Sequence, residues 1–315
     1  MNGDGLSCLV VSYNTRDDTI ALIASVLTQA ESAQVVVVDN GSADGSVEAL
    51  RESFPQITVI AAGSNLGFAR AVNVGVEAAS GRFVLLLNPD MVALPGSIDA
   101  VLRFAEDHPE YSIYGGRTVR RNGDLEPSSC WAAPTLWSLF MFATMLSTVF
   151  KGSRLFDPES MGDWRRDTVR EVEIVTGCLL LIRKSVFEAV GGMDEDYFLY
   201  GEDADFCMRV RRNGGRCVIV PDAVMIHDVG GSSAKTGTKT CMVLAGKVTL
   251  LAKSWSPARA TLGRLFLLAG VWVRATLERL MKRNGLWTTA WHRRADWRRG
   301  YPHARQTLFG LPVDG

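Results

Sequence analysis

The sequence predicts an α/β protein: a mixed, mainly parallel sheet with flanking helices, followed by a basic helical tail. Three observations carry that prediction. Short β-branched runs alternate with helical spacings through the first hundred residues. Polar residues collect directly after each run. The charge is also split along the chain: residues 1–231 hold 19 basic and 31 acidic side chains and residues 232–315 hold 15 and 3, although the 315-residue chain is neutral overall. With 47% hydrophobic and 22% charged residues, the composition excludes disorder, collagen-like repeats and coiled coils.

The runs at 6–11, 35–38, 57–61 and 83–87 read as strands of a parallel sheet covered on both faces. Val72, Gly75, Val76 and Ala79 keep helical spacing between them, as do Ile98, Val101, Leu102 and Ala105 after Pro95. Residues 116–175 are less regular and include a charge-free stretch at 127–150. Its most apolar part, 136–150, falls short of the roughly 20 residues of a spanning helix. Contact with lipid, a buried helix and a true span all stay open for it. A strand at 178–182 follows, and then a helix begins near Gly201, with Glu202 and Asp203 in the cap or first turn and Phe206 and Val210 on the buried face. Asn213-Gly214-Gly215 ends that helix, and Asp205 with Arg209, four apart, makes a surface or supporting ion pair. A strand at 217–220 is expected to close the ordered domain before Pro221. The division predicted is 1–240 for the α/β domain and 241–315 for the tail.

The six cysteines form no Cys-x-x-Cys pair and read as small buried hydrophobes in a reducing compartment, with no disulfide or zinc site expected. The N-terminal residues lack a basic n-region, so no secretory signal is expected and the catalytic part is placed in the cytoplasm.

The chemistry-bearing residues stand where the strands end: Ser12-Tyr13-Asn14, Asp39-Asn40-Gly41-Ser42, Ser64-Asn65-Leu66-Gly67-Phe68 and Asn88-Pro89-Asp90. Each alone reads as a turn, but four in register point at one crevice outside the carboxyl ends of a parallel sheet. Asn88 and Asp90 suit a hard cation holding a diphosphate, because such ions take oxygen ligands and leave positions for phosphate and water. Asp39 fits either an Asx-turn or a contact to a nucleobase or ribose. His227 fits a metal ligand or a loop residue, and Glu202-Asp203 fits helix capping or acid–base work.

These segments, together with Asn73, Thr176-Gly177-Cys178, Gly192-Met193-Asp194, Gly201-Glu202-Asp203 and His227 with Gly230 and Ser232, occur in the order seen in glycosyltransferase family two. The chain resembles the rhamnosyltransferase branch, which builds bacterial polysaccharide on a polyprenyl-diphosphate lipid. The resemblance covers residues 6 to about 233 and implies a GT-A fold over the first domain. It implies that Asp39 contacts the donor's pyrimidine, with Ser12, Asn14, Asn65, Gly67, Phe68, Asn73, Asn88 and Asp90 on the donor side. Asp90 would hold a divalent cation (Mg or Mn) with help from His227, Asp203 would be the catalytic base beside Glu202, and Thr176, Gly177 and Asp194 would face the acceptor. The common Asp-x-Asp motif stands here as Asn88-Pro89-Asp90. The processive Gln-x-x-Arg-Trp motif is absent from the sequence, so the implied reaction is inverting, metal-dependent addition of one sugar. The implied partners are a nucleotide-diphosphate sugar, dTDP-rhamnose first, and a polyprenyl-diphosphate-linked saccharide. An oxidoreductase on a doubly wound sheet is disfavoured, since Ser12-Tyr13-Asn14 stands where Gly-x-Gly-x-x-Gly would. A catalytically silent nucleotide-sugar-binding protein is the non-enzyme alternative, opposed by the set Asp90, Asp203 and His227.

Five of the eight tryptophans (255, 272, 287, 291 and 297) fall in the basic tail, whose most apolar part, 262–273, carries Arg264 and reads as too short to span a bilayer. Trp at headgroup depth and excess Lys and Arg predict peripheral attachment to the cytoplasmic face of the inner membrane. Packing on the first domain or a homodimer contact is the alternative. Nucleic acid is not expected, because no recognised module accompanies the charge.

Overall fold

The computed structural model describes residues 5–227, 237–283 and 285–310. Its strands, in chain order, are β1 Leu6–Ser12, β2 Gln34–Asp39, β3 Thr58–Ala61, β4 Phe83–Leu87, β5 Met91–Ala93, β6 Ile113–Val119, β7 Leu125–Glu126, β8 Cys130–Trp131, β9 Arg170–Val172, β10 Ile174–Val175, β11 Leu179–Arg183 and β12 Cys217–His227. The helices are α1 Arg16–Gln29, α2 Ser46–Ser53, α3 Phe68–Ala78, α4 Ser97–Asp107, α5 Leu136–Ala143, α6 Leu146–Val149, α7 Lys184–Ala189, α8 Glu202–Arg212, α9 Gly237–Ser254, α10 Pro257–Leu280, α11 Leu286–His292, α12 Arg294–Trp297 and α13 His303–Phe309. Among the described residues the chain forms two compact units. The first takes 5–131, 165–194 and 203–227, and the second takes 132–164, 195–202 and 237–310.

In the first unit the large sheet runs β3-β2-β1-β4-β11-β6-β12-β5. The four strands read from β-branched and aliphatic runs are parallel, with Ser12 opposite Asp39 at the ends of β1 and β2. All five residues of β4 are buried, as suits a strand covered on both faces. β11 then enters antiparallel between β4 and β6, and β5 closes the edge antiparallel to β12, so the sheet is mixed.

The expected end of the ordered domain before Pro221 is corrected: β12 continues through Pro221 to His227. Its pairing with β6 shifts register between Val220 and Val224. A bulge of this kind is where a sheet tolerates a residue without an N–H, and the continuation delivers His227 to the carboxyl edge. Residues 116–175, read as irregular, supply β7 to β10 and most of β6.

In the second unit, α5 buries Ser138, Leu139, Met141 and Ala143 while Trp137 and Phe140 stay exposed. The helix stops at Thr144, and Met145 at φ 67 separates it from α6, so 136–150 is no continuous span. The core of this unit gathers Leu139, Leu244, Val248, Leu267, Val271 and Trp297. The reading of the tail's most apolar part, 262–273, as too short to span is corrected on length, because it lies within a longer helix. α10 is one 24-residue helix, long and apolar enough by length and composition to cross a membrane, with 39% of its most apolar window buried. Arg264 does not interrupt it, because its half-exposed side chain reaches Thr261 along the helix surface.

Trp272 is exposed, Trp297 is fully buried, and Trp255, Trp287 and Trp291 are half-buried beneath Arg259, Arg274 and Arg294. Arg274 is itself buried. Its guanidinium donates to Phe142 O at 2.6 Å, Gly270 O at 3.1 Å and Thr148 Oγ1 at 2.9 Å, and desolvation lowers its pKa to about 10. All six cysteines are buried, and none forms a disulfide. Burial pushes Cys8 and Cys178 up to about 12 and Cys241 to about 11.

Candidate active site

The predicted donor side is assembled from the loops after β1, β2 and β3. Asn14, at φ 52, accepts from Ala43 N through Oδ1 at 2.8 Å, and its own N–H donates to Ser42 Oγ at 2.9 Å. Asn40, 3% exposed, donates to Asn65 Oδ1 and Gly67 O and accepts from Leu66 N, which ties the second loop to the third. Ser12 is buried against Thr15 and Thr19. Asp39, 2% exposed, accepts from Ser42 N at 3.0 Å through Oδ1, while its buried Oδ2 has no hydrogen-bond partner among the described residues. An unmet buried carboxylate oxygen is costly in a dry site, so Asp39 is poised to accept a hydrogen bond from a ligand.

A closed set of contacts joins the remaining candidates within the first unit. Asn88 N donates to Cys178 O at 3.3 Å, which brings the end of β4 beside Thr176 and Gly177. Thr176 Oγ1 donates to Ser128 O at 2.9 Å, and Ser128 Oγ lies 3.4 Å from His227 Nδ1. His227 Nε2 is 3.5 Å from Asp90 Oδ1, and its Nδ1 is 3.8 Å from Glu126 Oε2. Ser128 also donates to Glu126 from both N and Oγ. Burial works against a charged His227, but the flanking Asp90 and Glu126 outweigh it and raise the imidazole to about 9. Desolvation would raise Glu126, but its bonds to His227 and Ser128 outweigh it and hold the carboxyl below the usual carboxylate range.

Among the described residues no group of three His, Cys, Asp or Glu could hold an ion by itself. Asp90 and His227 nevertheless turn one carboxylate oxygen and one imidazole nitrogen toward each other. Once the imidazole gives up its proton, that pair fits a cation whose other positions go to phosphate oxygens and water.

Asp203 sits in the first turn of α8. Its Oδ2 accepts from Gly177 N at 3.3 Å and its Oδ1 from Ala204 N at 2.7 Å. Although an edge of the residue is exposed, desolvation outweighs these two donors and its carboxyl is raised above the usual range. A raised carboxylate close to a cleft edge has the properties of a general base. α8 is locked by Arg209, which pairs with buried Asp205 at 2.7 Å and donates to Val190 O and Gly192 O. The pair expected from the i, i+4 spacing is therefore a buried anchor for the helix that carries Asp203.

Several sequence-predicted residues hold the backbone in place. Asn73 grips Met193 from both sides, donating to its O at 2.9 Å and accepting from its N at 2.8 Å, so it positions the half-buried Asp194 that follows. Asn65 Oδ1 accepts from Gly67 N, and the Phe68 ring lies where a Cβ on Gly177 would approach within 3.1 Å. Glu202 is buried at the start of α8. Gly230 and Ser232 lie outside the described residues. Sequence reasoning missed Glu126, Ser128 and Asn40 as participants. Asn40 stands in the sequence as one residue of a turn, and the signal for the other two, a Glu-Pro-Ser-Ser turn, is common in any loop.

Comparison with known proteins identifies the family and the fold. The family described as Glycosyl transferase family 2 matches residues 7–191, and one described as the N-terminal domain of galactosyltransferase matches 167–229. The N-acetylglucosaminyl-diphospho-decaprenol L-rhamnosyltransferase of Mycobacterium tuberculosis is 30% identical over 252 residues, covering 74% of this chain and 78% of that protein. The low-salt glycan biosynthesis hexosyltransferase Agl10 of Haloferax volcanii is 30% identical over 230 residues, covering 70% and 67%. Among solved structures, the mannosyltransferase PcManGT of Pyrobaculum calidifontis, in complex with GDP-Man and Mn2+, superposes with a TM-score of 0.58 at 18% identity, covering 98% of this chain and 88% of that one. At that identity the likeness shows the fold, a GT-A arrangement.

Proposed function

Since this chain belongs to glycosyl transferase family 2 and is a glycosyltransferase, we propose that it moves one rhamnose from dTDP-rhamnose to a polyprenyl-diphosphate-linked saccharide, with inversion, at the cytoplasmic face of the inner membrane. The observation that carries the reading is the clustering, at one edge of one sheet, of a buried carboxylate oxygen left unmet on Asp39, the Asp90–His227 pair and a base raised by desolvation at Asp203. The rhamnosyl donor and lipid-linked acceptor are supported by the mycobacterial relative's own activity.

Asp39 receives the donor's base through its free Oδ2. Asp90 and His227 would hold a divalent cation (Mg or Mn), which when bound neutralises the diphosphate as a Lewis acid. Asp203 takes the proton from the acceptor hydroxyl as that oxygen bonds to the anomeric carbon and the bond from that carbon to the phosphate oxygen breaks. The nucleoside diphosphate leaves on the opposite face, so the configuration inverts. Gly177 N and Ala204 N fix the carboxylate, so little reorganisation is needed as the proton moves.

The test is to incubate the purified chain with dTDP-, UDP- and GDP-sugars and a polyprenyl-diphosphate N-acetylglucosamine, and to read both nucleoside diphosphate release and product mass. Rhamnosylated lipid from dTDP-rhamnose is expected. Transfer from a different nucleotide sugar alone would overturn the donor, and donor turnover with no lipid product would overturn the acceptor.

A further inference from the structure

The second unit is apolar on a face where a helix meeting water is ordinarily charged. On α10 the buried residues Ala260, Leu267, Val271 and Ala275 face the core, and the opposite stripe, at i, i+3, i+7 and i+10, is Leu262, Leu265, Ala269 and Trp272. Every exposed position between Arg259 and Arg279 is uncharged. Leu265 is 56% and Trp272 52% exposed. α5 continues this surface: Phe140 packs edge-on against Phe266 at 5.6 Å, Trp137 lies 6.1 Å from Phe140, and the Trp137 indole N–H donates to the carbonyl of exposed Leu155. Isolated exposed apolar residues are ordinary, but an aligned stripe continued by a second helix marks an interaction surface.

The charge beside it has one sign. Residues 257–283 carry six arginines and lysines and one acid, Glu278. The Glu278 carboxylate is turned to Thr288, accepting from its N at 2.7 Å and its Oγ1 at 2.9 Å. A second copy docking through the same face would set these like charges against each other. An anionic leaflet would complement them.

We infer that the joint face of α5 and α10 is the surface by which this protein lies on an anionic lipid bilayer, with α10 in the plane of the interface. Length and composition would also permit α10 to cross a membrane. Its inner half argues against that, being packed in the core of the unit with Arg274 held by Phe142 O, Gly270 O and Thr148 Oγ1. Spanning would strip the guanidinium of those partners in hydrocarbon. Lying flat, the helix sinks its outer stripe, Leu262 to Trp272, along about 15 Å of the headgroup boundary, with Trp272 at its preferred depth. The inference rests on the proposal of a lipid-linked acceptor and identifies the residues that bring the enzyme to it.

The test is flotation of the full chain with vesicles of phosphatidylcholine containing phosphatidylglycerol, compared with the double substitution Leu265→Glu and Trp272→Glu. Both positions are exposed, so donor binding and melting temperature should match the wild type and report an intact fold. Vesicle partition should fall by about tenfold or more per residue, and wild-type partition should weaken on pure phosphatidylcholine. Equal partition of variant and wild type would overturn the inference. So would a variant that only turns a lipid-free dimer into a monomer, which would assign the face to a second copy. Transfer assayed in detergent separates the two ideas: if the wild type makes no rhamnosylated lipid there but partitions as described, the acceptor proposal fails and the lipid face stands.

Discussion

Gly246, in the middle of α9, provides a sharp test of how the base is held, although it belongs to no catalytic motif. A Cβ on Gly246 would stand 1.9 Å from the carbonyl oxygen of Tyr200 and 2.8 Å from its carbon. The contact is with backbone, so no side-chain rotation relieves it. One partner must yield by about 1.1 Å before the pair reaches even the 3.0 Å that real Cβ contacts respect. The segment under pressure has little slack, since Tyr200 sits at φ 70 and Gly201 at φ 105, and a Cβ on Gly201 would in turn lie 3.0 Å from Gly246 Cα. Two and three residues on come Glu202 and Asp203, at the start of α8. A displacement of about 1 Å in a reacting group costs roughly 100-fold in rate, and overpacking of this kind costs about 1–3 kcal/mol in stability. Gly246→Ala is therefore expected to lower kcat about 100-fold with the donor KM little changed, because the Asp39 and Asp90 side of the site is untouched. Steady-state release of nucleoside diphosphate, with donor affinity measured by calorimetry, reads both quantities. Wild-type kcat in a folded Gly246→Ala protein would refute the coupling of α9 to the base.

Asp203→Asn should lower kcat by about 10² to 10⁴ while donor binding persists; near wild-type turnover, with the loss appearing instead in Glu202→Gln, would move the base by one residue. Because Asp203 must be ionised to accept a proton, kcat/KM should fall as pH drops through a value above the ordinary ~3.9 of an aspartate, and a limb at or below that value would contradict the desolvated site. The folded state holds this proton more tightly than the unfolded chain, so the residue's contribution to stability is present at low pH and lost as pH rises through the raised value. Asp203→Asn should then melt above the wild type at neutral pH, with the gap closing in acid, as scanning calorimetry would read. Asp90→Ala should abolish cation-dependent donor binding, and activity that survives thorough chelation would count against that role. Glu126→Gln, by loosening the carboxylate that orients His227, should raise the cation concentration needed for donor binding by about 10- to 100-fold, an effect absent if Glu126 only caps its turn.

What was legible in the sequence follows from how local its causes are. β1, β2 and β4 could be read because a strand buried on both faces must be continuously apolar, and Asp39, Asn88 and Asp90 stand out against such runs; β3, the half-exposed edge strand, was read from its β-branched run. Asp203 was visible because helix starts have their own composition. The partners of His227 were not legible: Glu126 and Ser128 come from a two-residue strand and a short turn, brought there only by the pairing of β6, β7 and β12. Pro221 misled because the bulge that accommodates it depends on β6, which is distant in sequence. Asn73 entered on the donor side through the family resemblance alone, and nothing local in the sequence signals that Met193, 120 residues on, meets both ends of its amide. The tail tryptophans were legible in composition but not in individual placement: Arg259, Arg274 and Arg294 lie over three of the rings, Trp297 is buried, and Trp272 is the exposed one.

The six buried thiols give the chain an internal gauge of its own opening. Cys8, Cys130, Cys178, Cys207 and Cys217 lie in the first unit and Cys241 in the second. With their access closed by burial, they can meet a water-soluble alkylating reagent only when the surrounding structure opens. Mass-resolved alkylation under native conditions would therefore time the opening of the sheet and of the helical unit separately, with no engineered label. Slowing of the first set by nucleotide sugar and of Cys241 by lipid would report which half of the protein each ligand steadies.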